Sequence, residues 1–306
     1  MRASWRSRLL SLLLVIGGCQ KSEPARPQTQ PAPPEAEVAQ KESNPTASFR
    51  NIQLSVHHQA ANKAEDNLSE EQLFTLVQEA ATAANFTVDP KGHQTEVSVA
   101  YGTLSEGEPD PEAERGTIAW SVGIHLRLVD AEGLGESMEG FGRGEIPFVR
   151  AAIPAMPLAM AEVAGQGLKR AFRDLSMQLQ YREAKPEEAA QGLHSPIPEE
   201  QWAALRRIGE LQAKDYREPI LELIETAEPT TLVIALGVLR RLRDVRSLAP
   251  LARFASTAEP ETAILVGSAL VSIGGNAARP HLQAMAEEHP EPRVRDAVRE
   301  LLQQLE

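Results

Sequence analysis

The C-terminal third of this 306-residue chain repeats itself every 31 residues, and no other feature restricts the fold so tightly. Pro198, Pro229 and Pro260 fall at that interval, and Glu291, between Pro290 and Pro292, stands at the fourth mark. Ala204, Ala235, Val266 and Ala297 keep the same register, as do Ile208, Leu239, Leu270 and Leu301. A second proline series, Pro219, Pro250 and Pro280, lies between the first at steps of 31 and 30. Proline suits the first turn of a helix, where an amide has no intrahelical acceptor. Two series therefore predict two short helices per unit, each starting near its proline. Within units the apolar spacing is helical: Leu232, Ala235, Leu236, Leu239 and Leu242 in one, Val294, Ala297, Val298 and Leu301 in the last. One helix pair cannot bury its own apolar face, but stacked neighbours can. Residues 198–306 are thus expected to form an all-α solenoid of about three and a half helix pairs.

The segment ALGVLRRLRDVRSLAPLARFA (235–255) resembles the HEAT-like repeats of the phycobilisome-lyase type. Asp244, Arg246 and Pro250 stand where that family's inter-helix turn has them, and EPRVRDAVREL (291–301) is similar to its second helix. The resemblance covers roughly residues 198–306 and implies a fold rather than an activity. Gly267, where the other units have Leu205, Leu236 and Val298, and the GGN at 274–276 mark the third unit as the least regular.

Upstream, residues 48–182 read as α+β. Ile52, Leu54 and Val56 alternate with polar neighbours, the period of a half-buried strand. Ser69-Glu70-Glu71-Gln72 has the form of a capping box opening a helix with Leu73, Leu76, Val77 and Ala80 on one face. Alternation returns at 95–101 and at 117–130, where Ile118, Trp120, Val122, Ile124, Leu126 and Leu128 share a face. A glycine-rich strand candidate (138–148) follows, then a helix over about 157–181 with Ala164, Leu168, Phe172, Leu175 and Leu179 inward. The order β-α-β-β-β-α predicts an antiparallel sheet with helices on one face. Residues 183–197 read as a linker to the repeats.

The single cysteine, Cys19, follows Arg2, Arg6, Arg8, the apolar run from Leu9 to Ile16, and Gly17-Gly18. The run is too short for a bilayer span, which takes ~20 residues, and Gln20 to Glu23 end it at once. A basic start, a short apolar centre and small residues at the cut have the order of a secretory signal. Ile16-Gly17-Gly18-Cys19 resembles the lipobox of bacterial lipoproteins. That resemblance implies cleavage between Gly18 and Cys19, lipidation of Cys19, and, with Gln20 next, delivery to the outer membrane. The rival readings are a buried structural cysteine and an uncleaved anchor helix. Residues 1–18 are then a signal peptide, and 19–47, with six prolines and one branched aliphatic (Val38), a lipid-anchored disordered tether. A lipidated Cys19 leaves no thiol for a disulfide, so the fold must stand on its core.

Loss of Arg2, Arg6 and Arg8 leaves 28 basic against 43 acidic side chains, a net charge of −15, which argues against nucleic acid. His57-His58 and His125 lack partners at metal-ligand spacing. EGEPDPEAE (106–114) has calcium-like oxygens but two prolines and no glycine-set closing loop, and reads as a solvated hairpin tip. GFGRG (140–144) has no following helix and no GK[ST], and reads as a strand bend or close packing under a helix. No G-x-S-x-G or H-E-x-x-H occurs. Arg240, Arg241, Arg243 and Arg246 crowd the end of one repeat helix and its turn. They either complement a helix C-terminus or dock an acidic partner. The sequence is therefore expected to encode a non-enzymatic envelope lipoprotein without cofactor or metal, whose repeats bind another envelope protein. The alternative is a carrier holding a lipid or cell-wall fragment between sheet and helix of the 48–182 region.

Overall fold

The computed structural model describes residues 50–59, 68–104, 115–129, 135–149 and 156–305. Gly18, Cys19, the 19–47 segment and the acidic stretch 106–114 lie outside the described residues. The first part runs β1 (Asn51–Gln59), α1 (Glu70–Ala83), β2 (Thr87–Val88), β3 (His93–Leu104), β4 (Arg115–Val129), β5 (Gly135–Val149) and α2 (Met156–Tyr181). Its five strands form one sheet in the order β2-β1-β3-β4-β5. Strands β3, β4 and β5 are antiparallel, as the short connections require, but β1 pairs parallel with both β2 and β3. The expected antiparallel pairing therefore fails at β1. The chain crosses from β1 to β3 through α1, and a helical crossover returns the strand in the same direction. The sheet is mixed.

Helix α1 starts at the expected capping box. The Gln72 amide donates to Ser69 Oγ at 3.2 Å, and Gln72 Oε1 accepts from the Ser69 amide at 3.0 Å. Leu73, Val77, Ala80 and Ala81 of α1 share one core with Ile52, Val122, Ile124 and Leu126 of the sheet. The face of α2 from Ala164 through Leu168, Phe172 and Leu175 to Leu179 closes the same core. Both helices thus cover one face, and the fold class is α+β.

GFGRG explains how α2 sits so close. A Cβ on Gly140, Gly142 or Gly144 would lie 2.5, 1.9 and 1.9 Å from the backbone oxygens of Ala171, Gly167 and Val163. Three alternate glycines of β5 therefore face three successive turns of α2, backbone against backbone. The outer edge of β5 is also spoken for: the Phe141 amide donates to Asp174 Oδ2 (3.0 Å) and Gln178 donates to the Glu139 carbonyl (2.8 Å). An edge strand is covered by side chains of its own helix.

The remaining chain is helical: α3 (Pro186–Gly192), α4 (Pro198–Glu210), α5 (Arg217–Thr226), α6 (Pro229–Leu242), α7 (Leu248–Ala255), α8 (Pro260–Gly274), α9 (Arg279–Glu288) and α10 (Pro292–Gln303). Pro198, Pro229, Pro260 and Pro292 each open a helix, and Pro219, Pro250 and Pro280 lie in the first turn of α5, α7 and α9. Helices α4, α6, α8 and α10 touch in succession as one layer, with α5, α7 and α9 as the other. Ala204, Ala235 and Val266, and Ile208, Leu239 and Leu270, are all fully buried. Ala297 and Leu301 are half-buried, because among the described residues α10 has a neighbour on one side only. Gly267 serves that end: Leu301 Cδ1 would come within 3.2 Å of a Cβ there. The apolar stretch Pro260–Glu288 meets the composition of a membrane span, but Gly275 (φ 50°) breaks it into α8 and α9. The 15 residues of α8 are short of the ~20 a span takes, and its side chains fill the array core.

The 183–197 segment is not a linker. Pro186 opens α3, the Lys185 amide donates to Glu188 Oε2 (3.1 Å), and Ala189 and Leu193 enter the core of the helix array. The described residues from 50 to 305 belong to one compact unit.

Candidate functional site

The helix array and the sheet layer are joined by buried charge. Asp174 of α2 is fully buried, and Arg206 of α4 donates to both of its carboxylate oxygens, Nη2 to Oδ2 at 3.0 Å. Burial pushes the Asp174 carboxyl above its ordinary range, and the guanidinium and the Phe141 amide pull the other way. Beside this pair, Arg170 donates to the buried Glu199 (2.8 Å) and to Glu228 (3.1 Å). Its guanidinium lies 5.2 Å from the ring centre of Trp202, whose indole N–H donates to Thr231 (2.7 Å). Helices α2, α4 and α6 are therefore fixed to one another through paired charges, each with hydrogen-bond partners. Buried pairs of this kind cost most when one member is removed. This junction is structural: its charges are satisfied from within.

The sequence-selected arginines lie on the opposite edge of α6. Arg240 and Arg241 occupy its last turn, and Arg243 caps it in the left-handed conformation (φ 48°). The Arg243 amide donates to the Leu239 carbonyl, which closes the helix. Among the described residues, Arg240, Arg241 and Arg243 have no ion pair, and Arg241 and Arg243 are exposed. Arg241 packs its stem near Gly209, with Cδ 3.7 Å from where a Cβ would stand, so the ends of α4 and α6 abut.

Arg246 behaves differently. Its backbone amide and its Nε each donate to Asp244 Oδ1 at 3.0 Å, and its Nη2 donates to Oδ2 at 2.7 Å. Arg217, at the start of α5, reaches the same carboxylate at 3.1 Å. These bonds, led by those from Arg246, hold the Asp244 carboxyl far below the usual carboxylate range despite its burial. Asp244 thus ties two consecutive inter-helix turns together. The four-arginine cluster splits into one cation paired with Asp244 and three without an ion pair among the described residues.

Sequence reasoning missed the apolar companions of those three. Val245 is 54% exposed and Leu211 37%, and both sit in the inter-helix turns of this edge. The available signal was an aliphatic residue inside a turn flanked by charges, where packing gives it no reason to be apolar. The arrangement offers a surface of cations around isolated apolar contacts, suited to a partner with carboxylates.

The other motifs stay minor. His125 is on the face of the sheet away from α1 and α2, half exposed, with Glu139 3.8 Å away. His57 and His58 lie on β1. No group of three metal-ligating side chains occurs among the described residues.

No family model matches the sequence, and no curated protein matches it either. Among solved structures, the chain is similar to two lipoprotein structures at low TM-score. One is a minor lipoprotein from Acinetobacter baumannii, 8% identical, matched over 44% of this chain and 92% of that one, with a TM-score of 0.28. The other is a candidate lipoprotein from Caulobacter crescentus CB15, 13% identical over 46% and 96%, with a TM-score of 0.26.

Proposed function

We propose that this chain is a non-enzymatic lipoprotein of the bacterial envelope, anchored through Cys19 to the outer membrane. Its HEAT-like helix array docks another envelope protein. The observation that carries the reading is the contrast between the two halves. Strand β5 and α2 meet backbone to backbone at Gly140, Gly142 and Gly144, which leaves no room for a lipid or a cell-wall fragment between these two elements. The array, by contrast, carries Arg240, Arg241 and Arg243, which make no ion pair among the described residues, on the same edge as the exposed Val245. That packing argues against the carrier alternative. Lipidation of Cys19 rests on Ile16-Gly17-Gly18-Cys19 and the short apolar run before it.

The test is photo-crosslinking in the native envelope from a probe at Val245. A discrete adduct that fades when Arg240, Arg241 and Arg243 are replaced by Glu supports the adaptor. An adduct indifferent to that reversal moves the docking face off this edge. No adduct from Val245, Leu211 or Asn276, one probe in each of the three inter-helix turns at this edge, sinks the adaptor reading.

A further inference from the structure

An open groove of about 610 Å³ runs between α5 and α7, at the opposite edge of the array from the arginines. Leu221 and Ile224 of α5 and Leu251 and Phe254 of α7 form its apolar floor. Glu225, at the end of α5, and Glu259, at the start of α8, supply carboxylates at its mouth, and Arg253 is the one cation in the lining.

The next gap along, between α7 and α9, is closed from within. His289, only 4% exposed, places Nε2 3.2 Å from the carbonyl oxygen of Ala255, the last residue of α7. Its Nδ1 accepts the Glu291 amide at 3.2 Å, so the ring proton belongs on Nε2, which donates across the gap. Arg295 of α10 then donates to the carbonyls of His289 (2.6 Å) and Pro290 (2.9 Å). The gap is thus filled by two donor side chains that reach helix-end and loop carbonyls.

The α5–α7 gap has no such fillers. The loop before α8 offers Ser256, Thr257 and Ala258. Its two hydroxyls turn back on their own helix, Ser256 to the Arg253 carbonyl (2.8 Å) and Thr257 to that of Phe254 (3.3 Å). Where α10 has Arg295, the matching turn of α8 has Ala263 and Ile264. Among the described residues no side-chain hydrogen bond spans from this loop to the end of α5. Facing the empty space are the C-terminus of α5, which carries the negative end of its dipole, and two carboxylates, against the single cation Arg253.

We infer that this groove seats an apolar segment of a partner protein bearing an arginine or lysine. The cation would take in trans the place that His289 and Arg295 fill in cis one unit later. Helix-in-groove recognition of this kind needs aliphatic anchors at helical spacing and one charge of the right sign. The inference rests on reading the array as protein-binding, and it adds a second face of opposite charge preference to the arginine edge. An adaptor with two such edges can hold two partners, or two segments of one.

The test uses residues 20–306, which contain the whole compact unit, and fluorescein-labelled synthetic peptides of ~15 residues, long enough to become helical when bound. One peptide has leucines on one face and arginines elsewhere. A second replaces the arginines by glutamates, and a third replaces the leucines by serines. Fluorescence polarisation should show the Leu/Arg peptide binding at least about tenfold more tightly than either control, a difference of ~1.4 kcal/mol. Ala258→Trp, which fills the groove, should weaken it about tenfold, as should the pair Glu225→Lys and Glu259→Lys, which reverses its mouth. The pair Glu287→Lys and Glu288→Lys, exposed on α9, removes as much negative charge away from the groove. It should leave affinity within about twofold if the site is local. Equal binding by wild type and both groove variants would overturn the inference. So would a preference for the Leu/Glu peptide, or equal and weak binding of all three. These assays read only the groove, so they can fail while the Val245 crosslink stands. In that case the adaptor survives and the groove assignment falls.

Discussion

Two glycine-to-alanine substitutions should move stability in opposite directions, and the difference tests the packing on which the functional reading depends. At Gly142 an added methyl would stand 1.9 Å from the Gly167 carbonyl oxygen and 2.5 Å from the Ala171 amide nitrogen. Real Cβ contacts essentially never fall below 3.0 Å, so α2 must retreat by about 1.1 Å. It cannot do so freely. Phe141, next to the substituted residue, donates to Asp174 of α2, and Asp174 is held in turn by Arg206 of α4. Overpacking of a close-packed core costs ~1–3 kcal/mol, and here it also strains a buried charge pair, so ~3 kcal/mol or more is expected. At Gly237, in the middle of α6, nothing lies within 4 Å of the added carbon. Alanine there removes backbone freedom from the unfolded chain and should stabilise by ~0.5–1 kcal/mol. Urea unfolding followed by circular dichroism measures both, with the midpoints compared at a common slope. A Gly142→Ala protein as stable as wild type would refute the backbone contact. It would also reopen the space between sheet and helix as a binding cavity.

Leu239→Ala, at a fully buried register position of the array, should cost ~2–5 kcal/mol by the same urea assay. Asp244→Asn should destabilise at neutral pH, because a carboxyl held below its unfolded range contributes stability above the unfolded pKa of ~3.9. That contribution is lost as pH falls through the depressed folded value, so the gap between variant and wild type should narrow in acid, and a constant gap from pH 7 to strong acid would count against the assignment. Cys19→Ala should abolish incorporation of labelled palmitate and processing at this site, and equal labelling of both proteins would end the lipoprotein reading.

Much of the helix array was legible because its signals are local. A proline at N1 marks a helix start whatever surrounds it, and a 31-residue period forces equivalent residues onto equivalent faces. The strands of the sheet were equally visible as alternation, but alternation carries no direction. Whether β1 runs with or against β3 is decided by the path through α1, which lies in the connection and not in either strand. Helix α3 escaped for another reason. PEEAAQG has the composition of a linker, and it is seated by small residues instead of an aliphatic stripe. A Cβ on Gly192 would lie 2.3 Å from the Tyr181 hydroxyl and 2.9 Å from Ala204 Cβ, so smallness itself is the packing signal. Among the candidate site residues, Arg246 was set apart from its neighbours only by the resemblance of Asp244, Arg246 and Pro250 to an inter-helix turn, and not by residue type. The turn geometry that brings Asp244 to its backbone amide and guanidinium together gives the physical reason it belongs to the fold.

The junction between sheet and array changes what a truncation can mean. Cutting before Pro198 would strip Ala189 and Leu193 from the array core. It would also leave Arg206 without Asp174, and Glu199 without Arg170. In the upstream half, Asp174 would be left as a formerly buried carboxylate beside the Phe141 amide with no cation. Breaking one member of such a pair costs ~3–5 kcal/mol, on the scale of a whole domain's net stability. Loss of partner capture on deleting 198–306 would therefore report unfolding as readily as a missing docking face. Surface substitutions in the intact chain avoid this ambiguity, because Arg240, Arg241 and Arg243 make no ion pair among the described residues and their reversal disturbs no buried charge. Each exposed pair with a partner is worth only ~0.2–1 kcal/mol, so the triple reversal should weaken capture by a graded, salt-sensitive amount. Complete loss at low salt would point to a misfolded variant, and a thermal melt of the same sample separates the two outcomes.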